Sequence, residues 1–145
     1  MLCVDVNVLV YAHRRDTERH TQFRDWLDEA RTGSEPLGVI DLVLSGFLRV
    51  VTHPRVFADP TPLDAALTFA DEIRSSPAVV RVEPGERHWD IFSRLALGAE
   101  VRGNLVPDAY LAATAMEHGA TWVTADRGFA RFTGLRWTHP LDAAI

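Results

Sequence analysis

Lysine is missing from this chain of 145 residues: all 15 basic side chains are Arg, set against 20 Asp and Glu, for a net charge of −5. Without a Lys there is no Schiff-base chemistry, no phosphate-loop site built on its lysine, and no lysine general base. Cysteine is nearly absent as well. The single Cys3 cannot close an internal disulfide, and no Cys/His set has zinc-finger spacing, which points to a reducing, cytoplasmic setting. Long apolar runs are also lacking. The first ten residues are interrupted by Asp5 and Asn7, no basic segment precedes them, and nothing approaches the length of a membrane span. A net negative charge argues against nucleic-acid binding by bulk positive potential, but it does not exclude a nuclease whose acids hold a cation.

What is present is a globular pattern. The chain is 47% apolar, with no repeat or linker, and is expected to form one domain over residues 1–145. Leu2 to Ala12 reads as a buried central strand. Phe23, Trp26, Leu27 and Ala30 mark a helix within Thr17–Arg31, and a second helix is expected over Asp41–Thr52. Thr61 and Pro62 open a third, running through Ile73. Val79–Val82 is the next expected strand and Glu86–Val101 a helix. Pro107 begins another, which Gly119 stops; Thr121–Thr124 is a strand, and Leu135–Thr138 an edge piece. Trp26, Trp89, Phe23 and Phe92 follow helical spacing and are expected to fill the sheet surface or a dimer contact. The alternation predicts an α/β fold of three layers, α/β/α, around a mainly parallel sheet of four or five strands. Ligands of such sheets bind beyond the carboxyl ends of the strands.

Three acids belong at that edge: Asp5 in the first strand, Asp126 after Thr121-Trp-Val-Thr124, and Asp108 one residue beyond Pro107. Each has an ordinary explanation alone, as a cap, a turn former or a first-turn acid. Together, carboxylates about 4 Å apart repel by about 4 kcal/mol per pair. With no Lys, the compensating groups are an Arg, a shared proton or a metal, and hard oxygen donors favour Mg2+ or Mn2+.

Asp5-Val-Asn7, Phe47-Leu-Arg-Val-Val-Thr-His-Pro-Arg-Val-Phe57, Pro107-Asp-Ala-Tyr-Leu-Ala-Ala113 and Thr124-Ala-Asp-Arg-Gly-Phe129, in that order, resemble the PIN-domain ribonucleases. The likeness is greatest to the VapC-type toxins of bacterial toxin–antitoxin pairs. The resemblance implies a Mg2+-dependent endoribonuclease, the toxin of a type II pair, with an RNA substrate, a VapB-type antitoxin partner and a homodimeric state. It makes Asp5, Asp108 and Asp126 metal-binding acids, with Asn7 and Thr124 orienting them. Two departures stand out. The family usually carries a Glu on the second helix, where this chain has Leu44, Ser45 and Gly46; Asp41 is the nearest acid, and is either a fourth catalytic acid or the helix cap. Many relatives also have an acid at the position of Gly128. These losses motivate the alternative of a weak or inactive PIN-like module that binds RNA or an antitoxin. A phosphatase using Asp5 is disfavoured by the Asp-Val-Asn sequence. Arg14 and Arg15 directly follow the expected first strand and become candidate RNA contacts, while Arg49 and Arg55 are expected to brace the second helix. The six histidines show no metal-ligand pairing and are expected at the surface or as caps.

Overall fold

The computed structural model describes residues 1–142, so the last three residues of the expected 1–145 span lie outside the described residues. The chain runs β1 (Leu2–Val4), α1 (Val6–His13), α2 (His20–Thr32), β2 (Leu37–Val39), α3 (Asp41–Val51), α4 (Leu63–Arg74), β3 (Val79–Arg81), α5 (His88–Gly98), α6 (Leu105–Glu117), β4 (Thr121–Val123), a 3-10 turn (Arg127–Arg131) and β5 (Trp137–Thr138). The five strands form one parallel sheet in the order β3-β2-β1-β4-β5, with helices supplying the crossovers. α1 packs on α2 and α3, and α5 on α6. Among the described residues, no helix is long and apolar enough to cross a membrane.

The expected strand Leu2–Ala12 is two elements. β1 ends at Val4, and Asp5 turns the chain: its backbone is extended (φ −85°, ψ 162°) and its carboxylate accepts from the Val6 N–H, as an N-cap does. The rest is a helix whose Val8, Leu9, Val10 and Ala12 are buried. A helix packed on several sides is apolar nearly all round, so it has no polar stripe to distinguish it from a buried strand. β2 was not expected at all. Its Leu-Gly-Val is only three residues long and contains a glycine, yet all three are buried. The helix expected to be capped by Thr61 has Pro62 at its N-cap, and the Thr61 hydroxyl meets His13 and Arg14 instead.

β1 lies at the centre of the sheet. Val4, Leu9, Val39, Val43 and Phe47 are buried in one core, and Trp122 of β4 is fully buried beside Phe129. Gly38 is required by this packing: a Cβ there would stand 2.6 Å from Cys3 Sγ and 2.9 Å from Val82 Cγ2. Burial also pushes the Cys3 thiol up to about 12, making it an inert core group. Gly38→Ala should destabilise the protein by about 1–3 kcal/mol through overpacking, seen as a lower urea midpoint with little change in slope. An unchanged midpoint would show that the contact is not tight.

Candidate active site

The β1–β4 pairing sets Val4 beside Val123, so both strands deliver their next residues to one edge. This is also where the connections out of β1 and into β4 lead to opposite sides of the sheet, the switch point at which open parallel sheets form a crevice. Asp5 and Thr124 are both buried there. The Thr124 hydroxyl donates to Asp5 Oδ2 at 2.7 Å, and the Asn7 amide donates to the same oxygen at 3.3 Å and to Thr124 Oγ1 at 3.2 Å. Asn7 Oδ1 accepts from the Ala125 N–H at 3.0 Å, and Thr124 Oγ1 accepts from the Asp126 N–H at 3.0 Å. Asn7 and Thr124 thus bind the Asp5 carboxylate and the backbone that leads to Asp126 into one network.

Asp126 follows β4 and caps the 3-10 turn, accepting from the Gly128 N–H at 2.8 Å. Asp108 stands in the first turn of α6. Asp5, Asp108 and Asp126 line a single cavity of about 510 Å³, with Asn7 beside them. Burial, opposed by the Thr124 and Val6 hydrogen bonds and reinforced by the charges of Asp108 and Asp126, raises the Asp5 carboxyl to about 6. Burial and the neighbouring Asp126 also raise Asp108, while Arg131 pulls it down. None of the three acids takes part in an ion pair among the described residues.

Asp41 does not join them. It is the first residue of α3, and its carboxylate is exposed and held by Arg74 at 3.0 Å and Arg81 at 3.1 Å, which keeps it below the usual carboxylate range. The position before it, Ile40, is the N-cap, so both sequence readings of Asp41 are corrected. Arg14 and Arg15 are also displaced. Because α1 intervenes, they lie an eight-residue helix, or about 12 Å, beyond Asp5. Arg14 is a brace: it pairs with Asp16 at 2.6 Å, donates to the Asp59 carbonyl at 2.7 Å and lies 4.1 Å over the Phe57 ring. Arg15 is exposed and borders a different hollow, with His13 and Asp59.

Two arginines that the sequence reading gave no site role stand nearer. Arg49 lines the acidic cavity from α3 and does not serve there as the expected brace. Arg131 fills the space that Gly128 leaves open: a Cβ at Gly128 would lie 2.9 Å from Arg131 Nη2 and 2.9 Å from Asp126 Oδ1. Among the described residues, no histidine lines the cavity. His88 and His139 are buried rather than at the surface, His88 against the Tyr110 carbonyl.

Chemically the site is a set of hard oxygen donors, three of them carboxylates, with no thiolate or imidazole at the cavity wall among the described residues. Three neighbouring carboxylates, one of them buried, suit a hard divalent cation. Among the described residues, no three Asp, Glu, His or Cys side chains already close on one ion-sized point, so coordination requires side-chain adjustment, for which exposed Asp126 has room.

Comparison with known proteins agrees with this geometry. The family model described as the PIN domain matches residues 2–135. The chain is 54% identical over 142 residues to "VapC ribonuclease Mb2897" of Mycobacterium bovis, covering 98% of this chain and 97% of that protein. To "Ribonuclease VapC25" of Mycobacterium tuberculosis it is 39% identical over 140 residues, covering 97% and 99%. In fold it is similar to a crystal structure of VapBC2 from Rickettsia felis bound to a promoter DNA fragment, with a TM-score of 0.68 at 16% identity over 95% of this chain and 97% of that one. It is likewise similar to VapC20 of Mycobacterium tuberculosis, a sarcin-ricin-loop-cleaving toxin, with a TM-score of 0.64 at 18% identity over 94% and 99%. A sheet with its acids at the β1–β4 edge, a family model matched over nearly the whole chain and relatives alike from end to end lead to one assignment: this chain belongs to the PIN-domain family.

Proposed function

We propose that this protein is a metal-dependent endoribonuclease, the toxin of a type II toxin–antitoxin pair, working in the cytoplasm as one domain over its full length. The observation that carries the reading is the convergence of Asp5, Asp108 and Asp126 on one cavity with no ion-pair partner among the described residues. The ribonuclease names of its relatives support it.

In this reading Asp5 and Asp126 would hold the cation from two neighbouring strand ends, and Asp108 would complete the set from α6. A divalent ion of the Mg2+ or Mn2+ kind, when bound, supplies Lewis-acid charge to the phosphate and lowers the pKa of water at the site. Asn7 and Thr124 fix the orientation of Asp5 through their shared hydrogen bonds. Asp108, with one carboxylate oxygen toward the cation, would take up at the other the proton of the attacking water. Pro107, Leu111 and Phe129 add apolar surface to the wall of the cavity. The protein partners we assign are a second copy and an antitoxin, for which apolar groups are exposed at Leu63 and Leu67 of α4 and at Trp89 and Leu97 of α5.

A second reading has its own observation. Asp41 is turned to Arg74 and Arg81, the cavity face of α3 carries no acid, and no three candidate metal-binding side chains among the described residues are already in place. These favour a PIN module that binds RNA or an antitoxin without cutting it.

Cleavage of total RNA separates the two. With Mg2+ or Mn2+ the wild type should cut, and Thr124→Val should lose about 10- to 100-fold, the worth of a group that orients a ligand. Asp5→Asn should lose more. Equal cleavage by wild type and Asp5→Asn would remove Asp5 from the site, and RNA binding without metal-stimulated cleavage would favour the second reading.

The electrostatics give a further expectation, in metal-free buffer. Asp5 rises from its ordinary 3.8 to about 6 on folding, so the native state binds this proton more tightly than the unfolded chain. Its stabilising contribution is complete below pH 3.8, falls as pH rises through about 6, and is gone above. Relative to Asp5→Asn, the wild type should therefore lose about 2 kcal/mol of unfolding free energy between pH 4 and pH 7. A difference that stays flat with pH, measured by urea denaturation, would contradict the burial of this charge.

A further inference from the structure

The face that α3 turns to the cavity is formed by Leu42, Ser45, Gly46, Arg49 and Val50, positions three and four residues apart on one side of a helix. Gly46 brings this face close, since a Cβ there would lie 2.9 Å from Val6 Cγ2, beside Asp5. Arg49 is the one basic side chain lining the cavity among the described residues. It is exposed, and it forms no ion pair among them, whereas Arg14, Arg74, Arg81 and Arg127 are taken by Asp16, Asp41 and Asp142. A guanidinium that braced the helix would have a partner; this one is free and shares its cavity with three carboxylates.

An RNA strand entering the cavity brings phosphates past those acids and is repelled by them wherever a bound cation does not intervene. A guanidinium on the cavity wall offsets that repulsion, and its planar fork matches two phosphate oxygens at once. We infer that Arg49 is a binding residue for the RNA backbone, gripping a phosphate next to the one held at the carboxylates, so that α3 contributes a cation to substrate binding. The inference rests on the ribonuclease reading above.

The test is fluorescence anisotropy with a short, labelled, single-stranded RNA of mixed sequence. EDTA in the buffer prevents cleavage, and Kd is measured across a salt series. Arg49→Ala should raise Kd about tenfold, the size of one charge-assisted contact, and lower the slope of log Kd against log salt by about 0.7, one phosphate contact on a single strand. Arg49→Lys should keep the slope and recover part of the affinity. Arg94→Ala, an exposed arginine on a different hollow beside Leu95 and Met116, should match the wild type. Kd and slope unchanged in Arg49→Ala, with circular dichroism confirming the fold, would overturn the inference, as would loss of a protein partner's binding with RNA affinity intact. Wild-type protein that neither binds nor cuts RNA would remove the ribonuclease reading along with it, whereas wild type that cuts RNA and an indistinguishable Arg49→Ala would remove this inference alone.

Discussion

Val4 pairs with Val123, and because the pairing is parallel, the chain leaves both strands on the same side of the sheet. The hydrogen bond from Thr124 to Asp5, 2.7 Å long and buried, joins the two exits. From this junction the other parts follow. Asp5 starts α1 by capping it, Asn7 reaches back from the first turn of that helix to the β4 exit, and the Asp126 N–H is held by the same Thr124 hydroxyl. An antiparallel or shifted β1–β4 pair would send the two residues to different edges or faces, and the cavity would lose its acidic floor.

The junction concentrates negative charge, and the chain distributes its positive charge elsewhere. With Lys absent, only arginines and the N-terminus carry fixed positive charge. Six arginines are committed to acids in surface pairs: Arg14, Arg24, Arg31, Arg74, Arg81 and Arg127. Such exposed pairs add little stability, but they withdraw these side chains from the site. Arg131, in the space above Gly128, and Arg49, on the α3 wall, are the arginines that remain near the carboxylates. The local excess of acid is therefore only partly offset by protein groups, and this residual field is what favours the divalent cation proposed above.

Much of this was legible in the sequence. Parallel α/β layering followed from the alternation of short β-branched runs with amphipathic helices, and the convergence of Asp5, Asp108 and Asp126 followed from placing strand ends at one edge. The parts that were not legible have physical reasons. Leu2–Ala12 hides a strand-to-helix turn because a helix buried in the core has no polar stripe, and its length moved Arg14 and Arg15 away from the acids. β2 is too short to show a period, and its glycine, required by Cys3 and Val82, reads as a breaker. Asp41 begins the helix whose face lines the cavity, but its direction is set by Arg74 and Arg81, which are distant in sequence and carry no local signal. Arg49 was discernible in principle, being one helical turn from Ser45 and so on the face where the family's acid was sought.

The central claim is that the unpaired acids at the β1–β4 edge form a seat for a divalent cation. It is tested most directly by titrating the wild-type protein with Mn2+ and following the free ion by electron paramagnetic resonance, beside Asp5→Asn and Asp126→Asn. Saturable binding by the wild type is expected, displaced by Mg2+ and weakened by at least about tenfold in each variant. Mn2+ that remains free, or that binds wild type and both variants alike, would contradict it.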